Sequence, residues 1–286
     1  MAQKKSVAVE SYIAHAKVTA SAAVASLYKI EVRFLGGLNT AQKNAFKKAA
    51  DRWTKVIVGD LSSVLVDGEV IDDLLILAQG VAIDGVGGIL GQAGPTQIRS
   101  STAGAAAFLP VKGIMSFDTA DLANMQANGT LTDVITHEMG HVIGIGTVWT
   151  RKGLLAGAGT SKPTFTGSQA KKEFGVLKGT GPQAVPVENR FGPGTRDAHW
   201  HEVVFGNELM SGFVAAPGNP LSRMTAASLS DLGYVVDMTA AEPYSLPRLL
   251  VGAKKASARK LAAAAAVDHP HTIPVIPIEC PASAMR

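Results

Sequence analysis

The most informative stretch of this sequence reads Thr136-His137-Glu138-Met139-Gly140-His141 and lies within an apolar run that we expect to be helical. On a helix, side chains four residues apart share one face, with Cβ atoms about 6 Å apart. The two imidazoles could therefore bind one zinc ion, at Zn–N distances of about 2.0–2.1 Å. Glu138 would then lie beside the metal as a base for a bound water. The pattern predicts metal-assisted hydrolysis of peptide bonds.

Composition sets the class of protein. The 286 residues are 47% hydrophobic and 17% charged, which indicates a globular chain with a substantial core and argues against global disorder. No apolar run is long enough to cross a bilayer, so we expect no transmembrane segment. The net charge of +4 comes from scattered basic residues, which argues against a nucleic-acid partner. The single cysteine, Cys280, excludes an intrachain disulfide.

Hydrophobic periodicity predicts strands followed by helices. Residues 28–35 alternate as a half-buried strand does, and a helix is expected from Thr40 to about Val58. Further strands are predicted at 63–66, 73–79, 89–94 and 113–117. The motif helix should begin near Thr130 and end at Gly144 or Gly146, because glycine favours the left-handed turn that ends helices. This order predicts an α+β fold with helices packed on a twisted sheet.

A catalytic zinc ion needs a third protein ligand and one open position for water. Downstream of the motif helix, the sequence offers His199-Trp200-His201 and then Asn207-Glu208-Leu209-Met210. A His-Glu-x-x-His-x-x-Gly helix, a long insertion, then His-Trp and Glu-Leu-Met resembles the leishmanolysin-like zinc metallopeptidases, a branch of the metzincins. The resemblance implies that His199 is the third ligand and that Met210 forms the Met-turn beneath the metal. His201 competes with His199 for the ligand role.

The resemblance also implies a fold and a division of the chain. We expect a metzincin-type protease with a mostly parallel sheet, an antiparallel edge strand and packed helices, plus a smaller irregular C-terminal subdomain. The expected segments are an N-terminal extension (1–27), an N-terminal catalytic subdomain with the active-site helix (28–146), a C-terminal subdomain with the third ligand and the Met-turn (147–251), and a flexible tail (252–286).

A second resemblance concerns the loop before the motif helix. Asp84-Gly85-Val86-Gly87-Gly88 and the following strand, with Phe117-Asp118-Thr119-Ala120-Asp121, look like the calcium-binding loop and acids of matrixins, another metzincin branch. A structural calcium ion held by Asp84, Asp118 and Asp121 is one interpretation, since calcium prefers oxygen ligands. A glycine turn with surface acids is the other. Ile89, Leu90 and Gly91 would belong to the edge strand against which an extended peptide substrate lies.

Two departures from these families stand out. The histidine that metzincins place three residues after the glycine is Thr147 here, so the third ligand must come from farther along the chain. The disulfides of the eukaryotic leishmanolysins cannot form with one cysteine. The histidines of the matrixin structural zinc site are also missing, so we expect a single, catalytic zinc ion.

The sequence therefore predicts a monomeric zinc endopeptidase that acts on peptides or proteins, with Glu138 as general base. One alternative is a catalytically silent metal- or peptide-binding module of the same fold, and the intact Glu138 argues against it because a binding module needs no base. Another is a structural protein with buried histidines. By family resemblance we expect an extracellular location; because no signal peptide is recognisable, a cytoplasmic location is the alternative.

Overall fold

The computed structural model describes residues 9–17, 27–214, 216–247 and 271–286. Parts of two predicted segments, residues 1–8 and 18–26 of the extension and 252–270 of the tail, lie outside the described residues. The strands are β1 (Glu10–His15), β2 (Lys29–Gly36), β3 (Val64–Val66), β4 (Glu69–Ile71), β5 (Leu74–Val81), β6 (Ile89–Ile98), β7 (Pro110–Asp118), β8 (Leu155–Ala156), β9 (Thr164–Phe165), β10 (Val185–Pro186), β11 (His271–Pro274) and β12 (Ile278–Glu279). The helices are α1 (Thr40–Val56), α2 (Thr119–Asn128), α3 (Leu131–Ile143), α4 (Ser168–Lys178), α5 (Glu202–Phe205) and α6 (Arg223–Leu232).

The main sheet is mixed, with the order β1-β2-β5-β7-β6-β11, and β12 also pairs with β6. Strands β2, β5 and β7 run parallel, while β1 and β6 are antiparallel to their neighbours β2 and β7. The mixed sheet and packed helices agree with the predicted class. The prediction that residues 89–94 form an edge strand is wrong, because β11 and β12 pair in parallel with β6 on the side that faces away from β7.

The core forms between the sheet and helices α1 and α3. Phe46, Ala49, Ala50 and Trp53 recur at helical spacing along α1, and all four are fully buried. The Trp53 indole N–H also donates to the Thr136 carbonyl of α3, at 2.9 Å, so its polar atom is satisfied inside the core. This packing fixes the position of α3 against the sheet.

Helix α3 spans nearly the range that the sequence predicts. Gly144 ends it with a φ of +120°, and the Thr147 hydroxyl then donates to the His141 carbonyl at 2.8 Å. At the start, the Thr130 hydroxyl donates to Asn128 and caps no helix amide. Every residue from Val134 to Ile143 is buried, because α3 lies between α1, the sheet and the chain after residue 147.

The region from residue 147 to residue 194 is more ordered than its weak periodicity predicts, whereas the helical spacing of residues 222–232 agrees with α6. Helix α4, which the sequence did not predict, packs against α6, and β8, β9 and β10 form a small antiparallel sheet. Trp149 stacks on Trp200, with ring centroids 4.7 Å apart, and Phe165 packs against both rings. Aromatic packing therefore provides this region with a core that alternation of polar and apolar residues could not reveal. The division into subdomains stays a prediction.

Residues 271–286 are part of the fold, so the prediction of a flexible tail is wrong for them. Cys280 and Ala284 join a second apolar cluster with Val64, Leu75 and Val111. Backbone bonds from Cys280 to Ile98 and from Arg286 to Ser63, both 2.8 Å, fasten the segment. The high proline and alanine content of residues 252–286 predicted a tail without strands, although β-branched residues within it form β11 and β12. None of the helices in the described part of the chain is long and apolar enough to span a membrane.

Candidate metal centre

Three histidine side chains converge at the end of α3. The Nε2 atoms of His137, His141 and His199 lie 2.9 to 3.1 Å from one another. The two histidines of α3 share a face through their four-residue spacing, and the third comes from the chain 58 positions after His141. Each side chain is about 5% exposed. The structure thus brings together the three residues that the sequence predicted as ligands, in a group that could hold a metal ion.

The other ring nitrogen of each histidine faces a backbone carbonyl. The Nδ1 atoms of His137, His141 and His199 lie 2.7, 2.9 and 2.9 Å from the carbonyls of Leu209, Ile145 and Thr195. A carbonyl can only accept, so each Nδ1 carries the proton and each Nε2 presents a lone pair. Three lone pairs facing one another at 3 Å repel unless a cation lies among them. This donor set fits a zinc ion.

Burial keeps these imidazoles neutral. It lowers the pKa of His137 to about 3 and that of His141 to about 4, and it holds the pKa of His199 well below its usual value. Neutral imidazole is the form that binds metals. The electrostatics of the site therefore agree with its geometry.

Glu188 positions His199, although no motif in the sequence indicates this role. It is fully buried, its backbone amide donates to the His199 carbonyl at 2.9 Å, and its own carbonyl accepts from Asp197 at 2.9 Å. Its carboxylate accepts from the Glu202 amide and from the side chain of Arg190. These bonds fix the backbone on both sides of His199 and give an irregular stretch the definition that a helix has through its own hydrogen bonds.

A second buried carboxylate, Glu208, holds the turn that carries Met210. It accepts from the Met210 amide at 2.7 Å, from the amide and hydroxyl of Ser222, and from the hydroxyl of Thr225. Thr225 in turn accepts from the indole N–H of Trp200 at 2.8 Å. A buried carboxylate is tolerated only with such donors. Isolated acidic residues in a sequence carry no signal of this role.

Met210 packs directly against α3. A Cβ atom added at Gly140 would lie 2.7 Å from the Met210 sulfur and 2.9 Å from Trp53. A larger residue at this position would push on the Met210 sulfur and the Trp53 ring, so glycine allows the turn to approach the helix this closely. The contact joins the Met210 turn to the segment between the two motif histidines.

Glu138 is buried next to the histidines. Burial raises the pKa of its carboxyl group to about 8, while a hydrogen bond from the Thr272 side chain opposes that shift. Its Oε2 atom has no hydrogen-bond partner among the described residues. A carboxyl group with a raised pKa and a free oxygen is suited to accepting a proton.

Other predicted residues do not join the cluster. His201 is not part of the three-histidine group, and its Nδ1 atom has no hydrogen-bond partner in the described part of the chain. The calcium interpretation of Asp84, Asp118 and Asp121 is not supported. Asp118 uses Oδ2 to accept from the amides of residues 83, 84 and 85 and Oδ1 to cap α2, and Asp121 accepts from Gly87. The acids thus hold the glycine loop through its N–H groups.

The predicted substrate-binding residues lie in β6, between two strands. Gly91 pairs with Phe117 of β7 on one side and with Thr272 of β11 on the other, and Ile89 pairs with His271. Thr272, which the sequence analysis missed, is therefore a neighbour of the site. The alternation around Thr272, Ile273 and Val275 is the sequence signal that could have revealed it.

Comparison with known proteins agrees with this geometry. The sequence model of the leishmanolysin family matches residues 73–250. The match includes α3, His199 and the Met210 turn, and it ends before β11. None of the curated proteins compared with the chain matches its sequence.

Proposed function

The chain belongs to the leishmanolysin family, and on that premise we propose that it is a zinc-dependent endopeptidase of the metzincin type. The family implies metallopeptidase activity, and the convergence of three unprotonated Nε2 atoms beside Glu138 is the observation that carries the proposal. His137, His141 and His199 would hold the ion. Met210, beneath the site and against Gly140, would be the Met-turn residue.

Held by His137, His141 and His199, a zinc ion would supply Lewis acidity, which would lower the pKa of water and polarise the carbonyl of a peptide bond. Glu138 accepts the proton of the attacking water through its free Oε2 atom and then passes it to the leaving amine. The backbone carbonyls at Nδ1 keep the three imidazoles in one tautomer throughout. Exclusion of bulk water from this buried site strengthens each of these interactions.

The second candidate is a module that binds metal or peptide without catalysis. The position of Glu138 favours the enzyme. Burying a carboxyl group that has one oxygen without a partner costs stability, and a binding module gains nothing in return.

Zinc content and casein hydrolysis test the proposal together. We expect one zinc ion per chain in the purified protein and slow hydrolysis of unfolded casein. The Glu138→Ala variant should keep its zinc ion and lose at least about 1,000-fold of the activity, in the range that removal of an essential catalytic group costs. Glu173→Ala, which removes a half-buried carboxylate of α4 that pairs with the exposed Arg223 away from the histidines, is the control and should behave as the wild type in casein hydrolysis.

Two results would contradict the proposal. Equal casein hydrolysis by the Glu138→Ala variant would rule out the assigned base. Zinc far below one ion per chain after gentle purification would rule out the metal centre.

A further inference from the structure

The C-terminal segment lies in the groove beside the candidate metal centre. Residues 271–274 pair in parallel with residues 89–93 of β6, and Ile278 and Glu279 continue the pairing at Gln97 and Ile98. On the opposite side, a Cβ atom added at Gly194 would lie 3.1 Å from the Thr272 carbonyl and within 4 Å of Pro274. The segment is thus enclosed between β6 and the loop that precedes His199.

One residue of this segment reaches the catalytic carboxylate. The Thr272 side chain hydrogen-bonds to Glu138. Glu138 itself is only 6% exposed. A peptide carbonyl cannot approach Glu138 and the three histidines while Thr272 occupies this position. The edge of β6 is also unavailable, because β11 already uses its backbone groups.

The isoleucines of the segment near the site are exposed, whereas Val275 is half-buried and Pro277 is buried. Ile273, Ile276 and Ile278 are 44, 85 and 69% exposed, so moving them into water would cost little hydrophobic free energy. Pro274 and Pro277 have no N–H group to donate to a neighbouring strand. Pairing is also irregular between His271 and Thr272. We call residues 271–278 the closing strand.

Residues 279–286 are held differently. Cys280 and Ala284 are buried in the second apolar cluster, and Glu279 accepts from the Ser101 amide at 2.6 Å. The Arg286 amide donates to Ser63. We call residues 279–286 the anchor. The closing strand, in front of the site, is therefore joined to a more firmly held anchor.

We propose that the closing strand is a built-in competitor of the substrate, and that an extended peptide binds along the same side of β6 only after this strand has moved away. The proposal rests on the proposed endopeptidase function and names the regulation of its site. The ligand of the groove is an extended peptide chain that pairs with β6 through its backbone, as the closing strand does. The anchor keeps the competitor at high effective concentration, so the resting activity of the full chain is low.

A reversible disulfide that joins the closing strand to β6, which we call the lock, tests this directly. Gln92 and Ile273 are paired positions of β6 and β11, and neighbouring strands lie about 4.8 Å apart, within the Cα separation that a disulfide bridges. A Gln92→Cys/Ile273→Cys variant in a Cys280→Ala background can form one disulfide only. We expect the oxidised form of the zinc-loaded full chain to hydrolyse casein at least tenfold more slowly than the reduced form. Equal and measurable rates of hydrolysis in the two forms, with the disulfide verified by mass, would overturn the proposal.

A matched control separates the lock from general effects of oxidation. Ile13→Cys/Glu31→Cys, in the same background, joins β1 and β2, which pair elsewhere in the sheet. Its oxidised and reduced forms should hydrolyse casein at the same rate. A loss of activity on oxidation of this control equal to that of the lock would overturn the assignment of the effect to the closing strand.

Zinc extraction by a chelator gives a readout that does not depend on catalysis. If the closing strand covers the site, the oxidised lock should release zinc at least tenfold more slowly than the reduced form. Equal extraction rates would overturn the proposal even in a protein without peptidase activity. Absence of casein hydrolysis in every form, together with slowed extraction in the oxidised lock, would instead contradict only the proposed function.

A loosened variant provides the opposite test. Ile273→Gly/Val275→Gly lowers the strand propensity of the closing strand and leaves the anchor unchanged. It should hydrolyse casein several-fold faster than the wild type and release zinc faster. Unchanged rates in both measurements would show that the strand does not limit access.

Discussion

The two halves of the candidate metal centre are built in different ways. His137 and His141 lie on α3, where the helix itself sets their spacing and the indole of Trp53 fixes its position. His199 lies in an irregular stretch. Phe191 and Asp197, both with positive φ, precede it, and the turn at Gly206 follows it. Backbone hydrogen bonds within a helix make the first half rigid. The second half depends on buried carboxylates, Glu188 and Glu208, which bind the backbone that surrounds it.

The difference shows how a ligand can be placed without regular structure. A helix places side chains by geometry alone, so its pattern is visible in six residues of sequence. An irregular chain needs an acceptor for its amides, and a buried glutamate supplies up to four lone-pair sites. Burying the charge of such a glutamate costs free energy. We therefore expect mutations in the half that contains His199 to lower stability more than mutations in the helical half.

The largest effect should come from removing a ligand of the irregular half. His199→Ala deletes one of the three Nε2 donors, and we expect zinc affinity to fall by more than about 100-fold, since even the hydrogen-bond partners of metal ligands are worth about 10–100-fold. His201→Ala removes a neighbouring histidine outside the cluster and should retain one zinc ion per chain. Zinc titration with a competing chelator measures both. Loss of zinc only in the His201 variant would reverse the assignment of the third ligand.

Removing the carboxylate that holds the Met210 turn should have the next largest effect. Glu208→Ala leaves the Met210 amide and the hydroxyls of Ser222 and Thr225 without their acceptor in a buried site. We expect the free energy of unfolding to fall by about 3–5 kcal/mol. Urea denaturation measures this change. A loss similar to that from Glu173→Ala, which removes a half-buried carboxylate paired with one exposed arginine, would show that the second half does not depend on Glu208.

The contact between the halves should give the smallest of these effects. Gly140→Ala places a methyl group 2.7 Å from the Met210 sulfur, so the turn must shift, and we expect a loss of about 1–3 kcal/mol of stability. Gly181→Ala is the matched control, because a Cβ atom there meets no neighbour within 4 Å. Thermal denaturation of the two variants, with and without zinc, measures the difference. Equal melting temperatures would show that Met210 can give way, and that the halves are only loosely joined.

The same contrast explains what the sequence could predict. The boundaries of α3, the strands β2 and β5 and the convergence of His137 and His141 follow from local periodicity. His199 entered through a resemblance to a family, since nothing in its neighbourhood alone distinguishes it from His201. Helix α4, the roles of Glu188 and Glu208, and the pairing of β11 with β6 depend on contacts between residues far apart in the chain. The composition of residues 252–286 even predicted a flexible tail instead of the pairing of β11 with β6.

The late position of β11 and β12 in the chain also bears on aggregation. Strand β6 is ten residues long and, without its C-terminal partners, would present an unpaired backbone edge to solvent. During synthesis that edge is complete long before the segment that covers it has left the ribosome. An unpaired edge of this length is a template on which another chain can add a strand. Residues 271–286 therefore also shield the sheet from intermolecular pairing, and a variant without them would lose that protection.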